Sequence, residues 1–334
     1  MTTDPGSTTS RATIPLSLLD RSRTRAGEPA GTALHDTLER AQRADRLGFH
    51  RFWVAEHHSV PGIASGSPPL LMAAVAARTE RIRVGSGGVM LPNHRPLVIA
   101  GQARMLAALH PGRIDLGVGR SLGFTAPVRE ALGVLEYGPT DFAEDLSALE
   151  GFLDDTGPVT AMPTAVASPP VFVLATGSGL AVAAERGLPV VVGGPLLRGD
   201  LDPLVRYREG YRPSRAHPEP RVLVSVDVMV APTSAEAREL MLPEAWAMVE
   251  SRSTGAFPPL RQEPVVRLTA RQQARVEEHL EQAVHGTPAE VTDELARLVD
   301  RTGAAEVVAF SSTHDREALA RSDATLAGLE IPAP

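Results

Sequence analysis

Short apolar runs rich in β-branched residues alternate along the chain with segments whose apolar residues recur at helical spacing. The runs predict eight strands, at Ile14–Leu19, Phe49–Ala55, Ile82–Leu91, Arg113–Val118, Val171–Ala175, Val190–Val192, Val222–Val230 and Glu306–Phe310. The periodic segments predict helices at Ala33–Leu47, Pro69–Arg78, Pro96–Leu109, Phe142–Leu153, Ser178–Arg186 and Ala289–Thr302. Strands separated by helices pair in parallel, and eight such units close a barrel. The pattern therefore predicts an α/β protein with the (β/α)8 TIM-barrel fold.

Two segments depart from this alternation. The first 13 residues are polar and predict a disordered lead before the first strand. Residues 240–286 hold additional helix and the proline-rich stretch GAFPPLRQEP, which begins at Gly255. Long connections of this kind in a barrel can act as lids. We therefore expect one barrel domain over residues 14–334, with an insertion at about 240–286 after strand seven.

Composition and charge remove several classes of function. The formal net charge of −7 argues against a nucleic-acid partner, which binds to a basic surface. The chain has no cysteine, which excludes disulfides and thiolate chemistry. No apolar run approaches the roughly 18 residues of a membrane-spanning helix, and the N-terminus lacks the apolar core of a signal peptide. We therefore expect a cytoplasmic protein with no membrane and no nucleic-acid partner.

Polar residues gather where the predicted strands end. In a TIM barrel the C-terminal ends of the strands form the active-site face. Glu56, His57 and His58 follow strand two, and Arg120 follows strand four. The turn Thr176–Gly179, of sequence TGSG, follows strand five. The sequence therefore predicts a ligand site at this end of the barrel.

Each candidate also has a purely structural explanation. The turn Thr176–Gly179 exposes N–H groups that bind anions, but Ser178 also fits an ordinary helix cap. Arg120 is suited to a phosphate and also to a surface ion pair. Gly87 and Gly88, inside predicted strand three, favour either a bulge or the close approach of a ligand. These alternatives stay open at the level of the residues.

The adjacent histidines raise the question of a metal site. His57 and His58 have the right donor atoms for zinc, but the sequence has neither an H-E-x-x-H motif nor a cysteine ligand. A structural or capping role for the pair is the simpler alternative. We therefore predict that this site holds no metal.

Four motifs resemble those of a known enzyme family. RFWVAEHH, RIRVGSGGVMLPNHRP, HPGRIDLGVGRSLG and ERGLPVVVGG occur in the order and spacing of the bacterial luciferase-like flavin-dependent monooxygenases. The chain is similar to their single-chain branch, some members of which tailor aromatic polyketides. The resemblance extends from about Ile14 to Leu329. It implies a barrel that binds reduced FMN or, in another branch, a deazaflavin coenzyme.

The resemblance also implies roles for individual residues. It places His57 beside the reactive edge of the flavin, where a histidine that titrates near neutral pH can move a proton. Glu56 and His58 would support the orientation of that ring. A non-proline cis peptide is implied between Gly87 and Gly88, under the isoalloxazine. The implied phosphate site consists of Arg120, with Leu122 nearby, and of Thr176, Gly177, Ser178 and Gly179.

A reaction and partners follow from the same resemblance. Reduced FMN and dioxygen would oxygenate an apolar, aromatic or polyketide-like small molecule in secondary metabolism. Because no nicotinamide-binding motif is visible, a separate flavin reductase would supply the reduced FMN. A homodimer is expected through the helices after strands two and three, where PPLLMAAVAA (residues 68–77) offers an apolar face. The alternatives are a deazaflavin-dependent hydride-transfer oxidoreductase and a flavin-binding protein without turnover.

Overall fold

Parallel strands form the centre of the protein. The computed structural model describes residues 12–164, 167–264 and 267–334, so residues 1–11 of the predicted lead lie outside the described residues. The strands in these ranges are β1 (Leu16–Asp20), β2 (Arg51–Val54), β3 (Arg83–Ser86), β4 (Val89–Met90), β5 (Ile114–Gly119), β6 (Val171–Leu174), β7 (Val190–Gly193), β8 (Val222–Val230), β9 (Val284–Gly286) and β10 (Glu306–Phe310). All of these strands except β4 and β9 pair into one closed parallel barrel, in which β10 bonds both β8 and β1. The predicted (β/α)8 barrel is confirmed.

Helices surround this barrel. Those in the described ranges are α1 (Thr32–Leu47), α2 (Pro68–Ala76), α3 (Pro96–Leu109), α4 (Ala126–Leu132), α5 (Pro139–Leu153), α6 (Ser178–Glu185), α7 (Asp202–Glu209), α8 (Ser234–Thr254), α9 (Ala270–Gln282), α10 (Pro288–Thr302) and α11 (Arg316–Ala327). Short 3-10 turns lie at Leu91–Asn93 and Gly194–Leu197. Within the part of the chain that the structure describes, no helix combines the length and apolar character needed to cross a membrane.

The eight predicted strands all correspond to barrel strands, with one division and one addition. Predicted strand three is divided at Gly87 and Gly88 into β3 and β4, and β4 pairs with β5. The short β9 pairs with the part of β8 that extends past the barrel. Three residues are too few to produce a recognisable pattern, so β9 is missing from the prediction. The helices α4, α7 and α11 are missing because they contain few large apolar side chains at helical spacing.

The connection from β8 to β10 has its own helix start and stop signals. The side chain of Thr233 accepts a hydrogen bond from the backbone N–H of Glu236 at the start of α8. That helix ends at Gly255, whose φ of 70° lies in the left-handed region that favours glycine. A capping box between Thr269 and Gln272 begins α9. Most of the segment predicted as an insertion is therefore helical.

Charged side chains fill the N-terminal end of the barrel. Arg51 donates to Asp115 at 2.5 Å and to Glu306 at 2.8 Å. Arg83 also donates to Asp115, and the hydroxyl of Ser17 donates to Glu306. An apolar layer lies above these ions and is formed by Trp53, Phe172, Val191, Leu223 and Val308. Because these side chains fill the barrel from its N-terminal end, space for a ligand remains at the C-terminal ends of the strands.

Candidate functional site

The carboxylate of Glu56 organises the segment that follows β2. Its side chain is buried and accepts hydrogen bonds from Nε2 of His58 at 2.6 Å and from Nε2 of His94 at 3.0 Å. The backbone N–H of Met90 and the side-chain amide of Asn93 donate to the same group, at 2.8 and 3.1 Å. Glu56 therefore connects the end of β2 to the segment after β4.

This carboxylate is held in its ionised form. Burial alone would raise the pKa of Glu56, but hydrogen bonds from His58 and His94 outweigh it and lower the pKa to about 2. The three side chains have the donor types of a metal site, with ligand atoms within 4.8 Å of one another. Both histidine nitrogens are already bonded to the carboxylate of Glu56, so the geometry is complete as a hydrogen-bond network.

The ring of His57 is left free by this network. Its Nδ1 is buried without a hydrogen-bond partner in the described ranges, while its backbone N–H donates to the carbonyl of Ser65 at 2.8 Å. Burial and the charge of Arg21 lower the pKa of His57 to about 4. The ring is therefore neutral near pH 7, which corrects the expectation of a histidine that titrates near neutral pH. A free nitrogen on a neutral ring can bind a ligand.

Two glycines bring the backbone close to the barrel interior between β3 and β4. The peptide between Gly87 and Gly88 is cis, as the resemblance implied. A Cβ on Gly87 would lie 2.6 Å from Cδ1 of Leu19, and one on Gly88 would lie 3.0 Å from the carbonyl of Gly117. A side chain at Gly87 would displace the end of Leu19, and one at Gly88 would force the carbonyl of Gly117 to shift, so glycine favours this close approach.

The structure brings Arg120 and the turn after β6 together. The guanidinium of Arg120 donates to Oγ of Ser178 at 3.0 Å. Thr176, Gly177 and Ser178 are exposed, Gly179 is buried, and Gly177 has a positive φ of 72°. The helix cap is Gly177 and has no side-chain hydrogen bond, so the alternative of a cap by Ser178 is wrong.

The second alternative for Arg120, a surface ion pair, is also not observed. No carboxylate in the described ranges lies within salt-bridge distance of its guanidinium. Its charge instead faces the N-terminus of α6, and both features attract an anion. Leu122 lies two residues further along and is partly exposed. This corner of the barrel mouth is therefore positive and open.

Sequence reasoning missed several residues that shape the site. Phe124, in the same loop as Arg120, lies with its ring centroid 6.0 Å from that of His57. Its ring therefore connects the loop that carries Arg120 to the loop that carries His57. His94 and Asn93 lie in the motif RIRVGSGGVMLPNHRP, but their partner Glu56 is distant in sequence. The NHRP that ends this motif was the available signal for both.

The insertion is anchored over the same end of the barrel. Glu244 of α8 accepts from Arg21 and Arg23, each at 2.8 Å. Burial would raise the pKa of Glu244, but the two arginines lower it to about 2. Gly62, in the loop that carries the histidines, donates its N–H to the carbonyl of Phe257 at 2.7 Å. The insertion therefore covers the loops after β1 and β2.

Comparison with known proteins agrees with this architecture. The family model for luciferase-like monooxygenases matches residues 14–306. A luciferase-like monooxygenase of Escherichia coli (strain K12) is 34% identical over 316 residues, which are 92% of this chain and 94% of that protein. The crystal structure of apo-MsnO8 has a TM-score of 0.82 and 33% identity, and the match covers 94% of this chain and 97% of that one.

A more distant structure shares the fold. The oxygenating constituent of 3,6-diketocamphane monooxygenase from Pseudomonas putida, in complex with FMN, has a TM-score of 0.71 at 19% identity. The match covers 96% of this chain and 100% of that one. At this level of identity the likeness concerns the barrel alone. With the family model and the Escherichia coli relative each covering most of its length, the chain belongs to the luciferase-like monooxygenase family.

Proposed function

We propose that the protein is the oxygenating component of a two-component, FMN-dependent monooxygenase. It would take reduced FMN from a separate flavin reductase and use dioxygen to oxygenate an apolar, aromatic or polyketide-like small molecule. The observation that carries this proposal is the contact between Arg120 and Ser178, which places beside a helix N-terminus a guanidinium that has no carboxylate partner in the described ranges. That pair is suited to a phosphate at the barrel mouth.

The residues of the site fit a flavin mononucleotide. Arg120 and the exposed turn Thr176–Gly179 would bind its phosphate, with Leu122 beside them. Gly87 and Gly88 are partly exposed and carry no side chain, so a flat ring system can lie against their backbone. Reduced flavin, when bound, activates dioxygen and supplies the oxygen atom that is transferred. A deazaflavin coenzyme also carries a phosphate, so the choice between the two needs a measurement.

The chain's own residues would then control protons and water. His57 is neutral near pH 7 and has a free buried Nδ1, so it can hold a proton or a hydrogen bond at that atom. Glu56 fixes the neighbouring His58 and His94 and thereby shapes the wall around that ring. The insertion, anchored through Glu244, would exclude water from the mouth.

Anaerobic titration with reduced FMN tests the proposed phosphate site. A charge-assisted arginine–phosphate contact contributes about 1.5–3 kcal/mol, so Arg120→Ala is expected to weaken FMN binding about 10- to 100-fold. Arg215→Ala is the matched control, because Arg215 is exposed and lies before β8 at the opposite end of the barrel. An unchanged dissociation constant for Arg120→Ala would place the phosphate elsewhere.

Two further outcomes separate the alternative functions. Tight binding of a deazaflavin coenzyme with no binding of FMN would favour hydride transfer. Labelled oxygen from ¹⁸O₂ in a product distinguishes a monooxygenase from a flavin-binding protein without turnover. Both measurements use the full chain and the same preparation.

A further inference from the structure

A buried carboxylate faces the barrel interior without a partner. Asp227 of β8 is 6% exposed, and neither of its carboxylate oxygens has a hydrogen-bond partner in the described ranges. It lies four residues after Leu223, which packs inside the barrel, and side chains in a strand alternate between faces. Asp227 therefore points inward near the C-terminal end of β8, in register with Phe310.

This arrangement is unusual within the molecule. Every other buried acid in the ranges that the structure describes has a hydrogen-bond or ion-pair partner: Asp20, Asp45, Glu56, Asp115, Glu244, Glu306 and Asp323. An unpaired buried carboxylate costs stability, and burial raises the pKa of Asp227 to about 7. Strongly perturbed groups of this kind concentrate at functional sites.

A second unsatisfied group lies opposite this carboxylate. His279 of α9 has its Nε2 3.9 Å from Oδ2 of Asp227, which is too long for a hydrogen bond. That nitrogen is also buried without a partner in the described part of the chain. Burial lowers the pKa of His279, so the ring is neutral near pH 7 and makes no ion pair. A polar ligand group that bonds both atoms would satisfy both.

The charges around Asp227 place it at the same barrel mouth as His57. Arg21, after β1, lowers the pKa of both Asp227 and His57. The other charged groups that act on Asp227 are Glu244 of α8, which Arg21 binds at 2.8 Å, and Arg40 of α1. The Arg21–Glu244 pair is already formed, so neither group neutralises Asp227.

We propose that Asp227 and His279 form a substrate-binding pair, in which Asp227 accepts a hydrogen bond from a hydroxyl group of an otherwise apolar substrate and His279 positions that hydroxyl. This inference rests on the proposed function, because the substrate is the molecule that is oxygenated. It narrows the substrate class to compounds that carry a hydroxyl group. A methyl ether of the same compound has no proton to donate and would leave the carboxylate unsatisfied.

The test compares 1-naphthol with 1-methoxynaphthalene by isothermal titration calorimetry at pH 8, where Asp227 is mostly ionised, on the full chain loaded with FMN. The parent is expected to bind 1-naphthol about 10-fold or more tightly than the ether, as a hydrogen bond to a charged group implies. Asp227→Leu is expected to bind the two probes equally. His279→Gln is expected to reduce the preference and to change its pH profile. Asp300→Leu, at an exposed aspartate of α10, is the control and should behave as the parent.

A thermal melt provides a readout that needs no probe. Asp227→Asn and Asp227→Leu are expected to melt at a higher temperature than the parent at pH 8, because both remove a buried, ionised carboxylate that has no hydrogen-bond partner in the described ranges. A lower melting temperature for both variants would assign Asp227 a structural role and overturn the proposal. Equal binding of the two probes by the parent, or a preference that survives in Asp227→Leu, would also overturn it.

The outcomes separate this inference from the proposed function. If the parent binds no FMN, the proposed function fails, and this inference fails with it. If FMN binds with normal affinity and the preference for 1-naphthol is absent, only the substrate-binding pair is rejected. The Asp227 variants should retain FMN affinity, since Asp227 lies apart from Arg120 and the turn Thr176–Gly179 in the strand order.

Discussion

One residue, Glu56, determines how the two adjacent histidines differ. Both follow β2 and both are partly buried, but the carboxylate bonds His58 and makes no hydrogen bond to His57. His57 is therefore a candidate to bind a ligand, and His58 is part of the wall of the site. A carboxylate that is buried and bonded to four donors also contributes strongly to stability, and that contribution depends on pH.

The pH dependence of stability tests the role of Glu56. Its pKa of about 2 in the folded state lies below the ordinary value of 4.5, so its contribution is present above pH 4.5 and is lost as the pH falls toward 2. A shift of this size corresponds to about 3 kcal/mol. We expect Glu56→Gln to lower the free energy of unfolding by about that amount at pH 7, and by less below pH 4.5. Urea unfolding at both pH values measures this.

An exposed glutamate supplies the control for that experiment. Glu281→Gln changes an exposed side chain of α9 and should alter stability by less than about 0.5 kcal/mol at either pH. A Glu56→Gln variant as stable as the parent at pH 7 would show that the hydrogen bonds of Glu56 only offset the cost of its burial.

The proposed proton role of His57 predicts a separation of binding from turnover. His57→Ala should keep FMN affinity within a few-fold, because Arg120 and the turn Thr176–Gly179 are unchanged. Turnover should fall by about 100- to 10,000-fold, which is the usual effect of losing an acid–base group. Since the pKa of His57 is about 4, turnover that depends on its neutral ring should be constant from pH 6 to 8 and fall below pH 5. Steady-state rates across this range measure both effects.

The neighbouring histidine is the comparison for this variant. His58→Ala should reduce turnover less, since its ring is bonded to Glu56 and shapes the wall. If His57→Ala turns over substrate like the parent and loses only thermal stability, the ring has a structural role.

At the level of residues, the sequence predicted which strand ends carry polar groups, but not how those groups pair. The C-terminal ends of parallel strands meet at one end of a barrel, however the side chains pack. His57 and Arg120 could therefore be assigned to that end from the sequence. The partners His94, Glu244 and Asp227 depend on how distant segments pack. Long-range packing of that kind leaves no local pattern in a single sequence.

The proposed enclosure of the site depends on one element, the insertion. Its helix α8 is attached by one buried carboxylate, Glu244, to the two arginines after β1. Arg23 also lies over the ring of Phe257, 4.3 Å from its centroid. The same arginine therefore contacts both α8 and the loop that follows it. Removing one member of a buried ion pair leaves an unpaired charge, which costs more than the pair itself contributes.

Glu244→Gln is therefore expected to loosen α8 rather than the barrel. The free energy of unfolding should fall by about 3–5 kcal/mol, and hydrogen exchange should accelerate mainly within Ser234–Thr254. Glu250→Gln is the matched control on the same helix, because Glu250 pairs with Arg261 at the surface and should contribute less than about 1 kcal/mol. Uniform acceleration of exchange across the barrel strands would contradict a local anchor.

Elements were predicted well where their patterns are long and poorly where other elements determine them. All eight barrel strands have β-branched runs, and α3 has the predicted bounds, Pro96–Leu109. In contrast, β9 exists because β8 continues past the barrel and offers an unpaired edge. The division of predicted strand three at Gly87 and Gly88 is likewise a feature of the packed barrel.

At the scale of the whole molecule, large apolar side chains of α2 and α3 are exposed to solvent. Leu70 of α2 is 74% exposed, and Val98, Met105 and Leu109 of α3 are 53, 57 and 69% exposed. The three α3 residues recur at seven and four positions, so they lie on one face of that helix. Helices α2 and α3 contact each other, and the exposed side chains form a candidate surface for pairing.

We propose that this surface is the homodimer interface expected from the helices after strands two and three. A charge placed at its centre would be buried against its own copy, so Met105→Arg combined with Leu109→Arg should convert a dimer to a monomer. Multi-angle light scattering at tens of micromolar measures the mass directly. Val205→Arg, at an exposed apolar residue of α7, is the matched control and should leave the dimer intact. A parent chain that is monomeric at this concentration, or a double variant that stays dimeric, would contradict pairing through α2 and α3.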